Sequence, residues 1–369
     1  MNHYNIRKSK AGELDKIVDV ANSAFIPVRT PDYDFRRTIP KIYNTSHDYS
    51  DIHHVAEVDG KLVAICGNLI RTIDVDGEYP FSVVGTVSTR PEYQQLGFMH
   101  ALMDAVDKEC REKNLVFSLL TGQRRRYNFF GFEKAGFQYV FEFDDYFTKH
   151  HSSGDIKISK TLENELHFCY DLYQSFQIFN LRDEKTFFEC MGDYRAKVFS
   201  IYSKNTQIGY FVFKKGQIIE LYTNNFDVLS NIVNEILLFL NIDKLEFVVN
   251  PLHKQLVEAF DKIAQQTRLE DNLHFKVYRM DKFVEMLLKI NSHITKFSDC
   301  VEVYEIDGGL IEIKIEGGQC SVVKIKKSQT VLAKFTSAEF VRFALSPFSQ
   351  TRISKIFPVV FGIDSCDMF

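Results

Sequence analysis

The stretch VVGTVSTRPEYQQLGFMHALMDAVDKECREKNLVFSLLTGQRRRYNFFGF, residues 83–132, decides the fold. A strand-like apolar run ends at Thr89 and a polar turn follows. Gly97 then precedes residues of helical period, Met99, Leu102, Met103, Val106 and Cys110. A further apolar run over 115–120 reads as a buried strand. The first N–H groups of a helix lack acceptors and sit at the positive end of its dipole, which suits a pyrophosphate. A glycine at that point lets the backbone approach the phosphates with no Cβ in the way.

Upstream, Leu14, Ile17, Val18, Ala21 and Phe25 mark one apolar helix face. Asp59-Gly60 separates strand-like runs 54–58 and 61–66, and Asp76-Gly77 separates 69–75 from 81–88. Asp-Gly between such runs is a strong hairpin signal. A helix, an antiparallel meander, a second helix and a strand predict an α+β layer domain over 1–148. His150-His151-Ser152-Ser153-Gly154 reads as a linker.

The same grammar recurs in a second domain over 149–284. Strands are expected at 197–202, 209–213 and 218–222, a helix with Leu229, Ile232, Val233, Ile236, Leu237 and Leu240 on one face, and a strand at 245–249. Either duplication or coincidence accounts for this order. Here residues 221–229 contain no glycine before the helix, so this half is not expected to take a pyrophosphate. Residues 285–369 form a third, small α+β module. Met286, Ile290, Ile294 and Phe297 suggest its first helix, Gly308-Gly309 and Gly317-Gly318 join three strands, and Thr336 with Glu339 forms a capping box.

Composition bounds the function. The chain has 369 residues, 45% hydrophobic and 25% charged, enough for two or three cores and against disorder. A formal net charge of -4 gives no global argument for nucleic acid or an anionic membrane as partner. Arg124-Arg125-Arg126 reads as a solvated loop or a phosphate contact. Seven dispersed cysteines without CxxC spacing suggest reduced thiols, and His53-His54 and His150-His151 lack metal-ligand spacing, so no metal is expected. The amino terminus has no signal-peptide pattern and no window approaches a membrane span, so a soluble, cytoplasmic protein is expected. The sequence is compatible with a homo-oligomer and does not decide it.

Gln94-Gln95-Leu96-Gly97-Phe98-Met99 resembles the Q/R-x-x-G-x-G/A loop with which the GNAT acetyltransferases grip coenzyme A. Met99 stands where small residues are usual. Tyr127-Asn-Phe-Phe-Gly131-Phe132 is similar to the Y-x-x-x-G-F pattern that closes that fold. The length, a degenerate second GNAT-like half and a terminal module similar to sterol carrier proteins resemble the Eis type of this superfamily. The ending, 357–369, also resembles that type, whose chains finish on an aromatic residue.

The resemblance implies two tandem GNAT-like mixed-sheet domains, a sterol-carrier-like α+β domain, acetyl-CoA as cosubstrate and a small-molecule primary amine as acceptor. That acceptor is aminoglycoside-like, polyamine-like or lysine-type, and attacks the thioester directly. Val87, Ser88 and Thr89 should hold the acetyl and pantetheine. Gln94, Gln95, Leu96, Gly97, Phe98, Met99 and His100 should cradle the pyrophosphate, with Gly122 and Gln123 flanking the pantetheine. The two glutamines replace the arginines common in this loop, which weakens a charge-assisted grip. Tyr127 falls on the family's general acid, and the α-carboxylate of Phe369 on its general base. Taken alone, Tyr127 is one of 17 tyrosines near a strand end. Asp32, Asp34, Asp364 and Asp367, if they approach the cleft, would favour cationic acceptors. The competing reading is a non-catalytic small-molecule or lipid-binding protein on the same scaffold.

Overall fold

The computed structural model describes residues 4–26, 33–44, 48–184, 186–271, 273–348 and 353–368. The first strands are β1 (Tyr4–Lys8), β2 (His53–Val58), β3 (Lys61–Asp74), β4 (Glu78–Thr89), β5 (Phe117–Leu120) and β6 (Glu133–Ala135). Between them lie the helices α1 (Leu14–Phe25), α2 (Phe35–Thr38), α3 (Pro40–Tyr43), α4 (Phe98–Glu112) and α5 (Arg124–Tyr127). There follow β7 (Gln138–Asp144), α6 (Asp145–His150), β8 (Ile156–Lys160), α7 (Leu166–Phe176), α8 (Phe187–Met191), β9 (Lys197–Ser203), β10 (Thr206–Lys214) and β11 (Gln217–Thr223). Then come α9 (Leu229–Leu240), β12 (Lys244–Val249), α10 (Lys254–Asp261), β13 (Gln266–Glu270) and β14 (Leu273–Val277). The last are α11 (Met280–Ser292), β15 (Cys300–Ile306), β16 (Gly309–Glu316), β17 (Gln319–Ile325), β18 (Ala333–Phe335) and α12 (Ser337–Leu345).

Two seven-stranded sheets and one four-stranded sheet result, a mixed α+β architecture of two large mixed sheets and a small third one. The first sheet has the order β1-β2-β3-β4-β5-β14-β6, the second β8-β9-β10-β11-β12-β7-β13. In each, one parallel pair (β4 with β5, β11 with β12) interrupts an antiparallel ladder. The two halves therefore share strand order as well as element order.

The sequence placed the domain limits at 148/149 and 284/285, and sheet membership changes elsewhere. β6 and β7 are chain neighbours but lie in different sheets, as do β13 and β14. Gly136, at φ +72°, makes the first passage in a conformation that L side chains rarely adopt. β7 carries Val140, Phe141 and Phe143 into the core of the second sheet, where they pair with β12. Counting described residues, one compact unit comprises 4–135, 273–359 and 368, the other 136–271 and 360–367. The expected linker at His150-His151 is instead helix α6 and its end, where His150 stacks on Tyr146 and His151 on Phe147 with ring centroids 4.0 and 3.9 Å apart.

The Asp-Gly turns are as expected. Asp59 and Gly60 have φ +48° and +77°, both central residues left-handed as a two-residue primed turn requires. In the small sheet the turn falls on Asp307-Gly308, and Gly309 already opens β16. The runs 61–66 and 69–75, expected as separate strands, form the single long strand β3. Helix α11 stops at Ser292, leaving Ile294 and Phe297 beyond it. The capping box of α12 is formed, with Glu339 accepting from the Thr336 N–H at 2.8 Å. Helix α4 packs Leu102, Met103, Val106 and Cys110 against Ala64, Cys66 and Val84 of the first sheet, which fixes the direction of its N-terminus. Among the described residues no helix is long and apolar enough to cross a membrane.

Candidate active site

Strands β4 and β5 run parallel only from Phe81–Val83 against Phe117–Leu119. β4 continues to Thr89 while β5 ends at Leu120, so the pair opens into a notch. On its other edge β4 bulges. Ile65 pairs with Ser88 and Gly67 with Gly85, which leaves Cys66 opposite both Thr86 and Val87. Thr86 takes φ +47°, and its Oγ1 is buried with no hydrogen-bond partner among the described residues. A buried hydroxyl left without a partner is costly, and a bound polar atom would satisfy it.

Beyond Thr89 the chain makes a short 3-10 turn at Pro91–Tyr93 and reaches α4 through two left-handed residues, Gln95 (φ +65°) and Gly97 (φ +85°). Gly97 is the N-cap of α4, and the first helical bond is donated by Ala101 to its carbonyl at 3.2 Å. The N–H groups of Phe98, Met99 and His100 therefore have no intrahelical acceptor. A Cβ built on Gly97 meets nothing within 4 Å. Its position needs glycine for its φ, and the space a side chain would fill is open to a ligand.

This helix end faces a cavity of about 630 Å³ lined by Phe25, Val87, Ser88, Thr89, Gln94, Gln95, Gly97, Phe98, Met99, His100 and Arg126, with Ala24 and Tyr93. Nine of the residues expected to hold a coenzyme thus line one cavity. Leu96 lies in the same loop but does not line it, and is 65% exposed. Arg126 is the one lysine or arginine among the lining residues. It comes from α5, while the loop itself presents the uncharged Gln94 and Gln95 to the same cavity. Its neighbour Arg124 is engaged with Glu133 at 2.6 Å. The arginine run is helical.

Gly122, Gln123 and Tyr127 are not lining residues. Tyr127 is buried at the end of α5, in the core beneath α4. A Cβ on Gly122 would stand 2.5 Å from Cε2 of Tyr127, so Gly122 is there to admit the phenol ring. Burial, with the Cys66 thiol close by, pushes the phenol above the ordinary tyrosine range, against the opposing Arg126. Cys66 itself is pushed up to about 12 by burial, which keeps it an inert thiol.

Phe369 and Asp32 lie outside the described residues. The carbonyl of the preceding Met368 accepts from the buried Lys41 of α3. The acidic lining expected of the aspartates does not form from the others. Asp34 caps α2 through the Arg36 N–H at 3.1 Å and accepts from Asn22 at 3.2 Å. Asp364 and Asp367 are buried within the second unit. His53 bonds Tyr43 at 3.0 Å and His54 bonds Glu109 at 2.7 Å. Among the described residues no group of three or more ligating side chains could hold a metal. In the second unit, α9 starts at Leu229 after a Val228 cap, with no left-handed glycine preceding it.

Sequence reasoning missed Thr86, Phe25 and Tyr93. Only the irregular pairing of β3 with β4 marks Thr86, and no periodicity reports such a bulge. Phe25 was visible as a helix residue but not as a cavity wall.

Residues 5–135 match the family model of the acetyltransferase (GNAT) domain. Over the whole chain, the fold is similar to a GCN5-related N-acetyltransferase from Anabaena variabilis (TM-score 0.69, 14% identity, 100% of both chains). It is also similar to a conserved protein of unknown function, probable N-acyltransferase, from Enterococcus faecalis (TM-score 0.66, 15% identity, 93% of this chain and 90% of that one). Eis1 from Mycobacterium abscessus is a third neighbour (TM-score 0.61, 11% identity, 92% and 89%). At these identities the likeness is one of fold. No curated protein matches the sequence.

Proposed function

We propose that this chain, whose residues 5–135 match the acetyltransferase (GNAT) domain, is an acetyl-CoA-dependent N-acetyltransferase acting on a primary amine. The observation that carries the reading is the α4 N-terminus. Its free N–H groups, the left-handed Gly97 and Arg126 meet at one cavity beside the β4/β5 notch. Unsatisfied donors, the dipole and one guanidinium together suit a pyrophosphate. The partnerless hydroxyl of Thr86 and the backbone of Val87 and Thr89 suit the polar pantetheine arm.

In this reading the amine nitrogen forms a bond to the acetyl carbonyl carbon and the C–S bond breaks, its electron pair leaving on sulfur. Tyr127, protonated at neutral pH, gives that sulfur its proton. The proton leaving the amine goes to the α-carboxylate of Phe369, directly or through a water. Lengthening the chain by one residue would displace that charge and lower turnover by roughly 10²–10⁴, the usual contribution of a general base. No covalent enzyme intermediate is needed. The acceptor is an amine of small-molecule or lysine type.

The test is incubation with acetyl-CoA and a panel of amines, with a thiol-reactive dye reporting free coenzyme thiol. Amine-dependent release supports the reading. Coenzyme binding with no release from any amine would favour a binding protein on the same scaffold.

A further inference from the structure

A second cavity, of about 300 Å³, lies in the first unit, and His100 lines both it and the coenzyme cavity. His100, Met103, Asp104 and Asp107 follow one another at helical spacing along one face of α4. Its other walls include Phe129 and Phe130, on the 3-10 turn Asn128–Phe130 after α5, and Lys276 of β14. The turn is firmly set. Gly131 closes it at φ +82° with its N–H bonded to the Asn128 carbonyl at 3.0 Å, and Asn128 Nδ2 donates to Glu133 at 2.9 Å.

On this fixed turn Phe129 is 73% exposed, the most exposed large hydrophobic side chain among the described residues. Its ring stands edge to face with His100 at 5.0 Å and with Phe130 at 5.3 Å between centroids. One exposed phenyl needs no explanation, but three clustered rings on a cavity wall point to an aromatic ligand. No ligand ring fits between Phe129 and His100, because two stacking contacts need roughly 7–8 Å. The open side of Phe129 is the platform.

The charges narrow the ligand further. Asp107 is gripped by Lys276 at 2.5 Å and by Arg111 at 2.8 Å, so Lys276 is already neutralised. Asp104, which is exposed, is the carboxylate left to meet a ligand. It repels a phosphate and accepts from an amino N–H. A stacking ring beside one acceptor suits a nucleobase that carries an amino group.

We propose that this cavity is the adenine subsite of the coenzyme, with the base stacked on Phe129 and its amino N–H given to Asp104. The helix provides the span. The unpaired N–H groups of α4 end at His100, and Asp104 lies one turn further on, about 6 Å along the axis. The ribose bridges that gap. The inference rests on the acetyltransferase reading, which puts the pyrophosphate at the α4 N-terminus.

The test compares acetyl-CoA with S-acetyl-4′-phosphopantetheine, which lacks the adenosine, by calorimetry and as acyl donors in thiol release. Phe129→Ala should weaken acetyl-CoA binding by roughly tenfold or more, the usual contribution of one base stack, and leave the truncated donor unaffected. The KM for acetyl-CoA should rise with kcat at saturation unaltered. Phe129→Trp, which keeps a stacking face, should restore binding, and Asp104→Ala should cost several-fold for acetyl-CoA alone. Phe129 is exposed, so its replacement spares the core, and thermal unfolding of each variant checks this. Equal loss for both donors, or no loss for either, overturns the subsite. If neither donor binds the unaltered chain, the acetyltransferase reading fails and the subsite falls with it.

Discussion

Gly122 and Tyr127 are packed so closely that a Cβ on the first would stand 2.5 Å from Cε2 of the second. The phenol has this one seat, and a methyl group at 122 must move it. Gly122→Ala should destabilise the chain by about 1–3 kcal/mol, the usual range for overpacking. It should also lower turnover more than the loss of folded protein explains. Thermal unfolding and thiol release on the same preparation separate the two effects. Wild-type turnover in Gly122→Ala would mean that the ring's seat does not matter.

Gly97→Val should weaken acetyl-CoA binding by an order of magnitude or more. Its φ of +85° disfavours any β-branched residue, and the side chain would enter the cavity. Calorimetry measures this directly. An unchanged Kd would detach the α4 N-terminus from coenzyme binding.

Arg126→Ala should weaken binding several-fold and flatten its salt dependence, because the guanidinium is the one lysine or arginine among the lining residues. Titrations at two ionic strengths check both parts. Loss of affinity with an unaltered salt slope would assign Arg126 a packing role.

Stability should fall with acid in a defined window. Bonds from Arg7 hold the Glu13 carboxyl down to about 2. Glu109 also lies below its ordinary value, because contacts to His54, Lys113, Asn68 and Lys8 outweigh burial. A carboxylate with a depressed folded pKa stabilises fully above its unfolded value near 4.5 and loses that contribution as pH falls through the folded one. Glu109→Ala should therefore cost about 3 kcal/mol at pH 7 and less as the solution is acidified. Denaturant melts at pH 7 and 4 report it; a cost independent of pH would assign Glu109 to packing alone.

Much of this molecule was legible in its sequence for a physical reason. Asp59-Gly60 and the Val106–Cys110 stripe are local signals, since turn chemistry and helical period are set by neighbours in the chain. The loop 94–100 was legible through its resemblance to the GNAT coenzyme loop, with Gly97 set between a strand and a helix. The passage of β7 into the second sheet was not, since Gln138–Asp144 reads as the same strand in either sheet. The Thr86 bulge depends on pairing with residues some 20 positions earlier. The second cavity is assembled from α4, the turn at 128–130 and β14, and no spacing announces it.

The central claim is that Tyr127 protonates the leaving thiolate of a coenzyme held in the first unit, and the most direct measurement is thiol release by Tyr127→Phe beside calorimetry of acetyl-CoA. The account predicts one coenzyme per chain, an affinity little changed by the substitution, and turnover lower by roughly 10²–10⁴. Full turnover in Tyr127→Phe, or two equivalent coenzyme sites per chain, would contradict it.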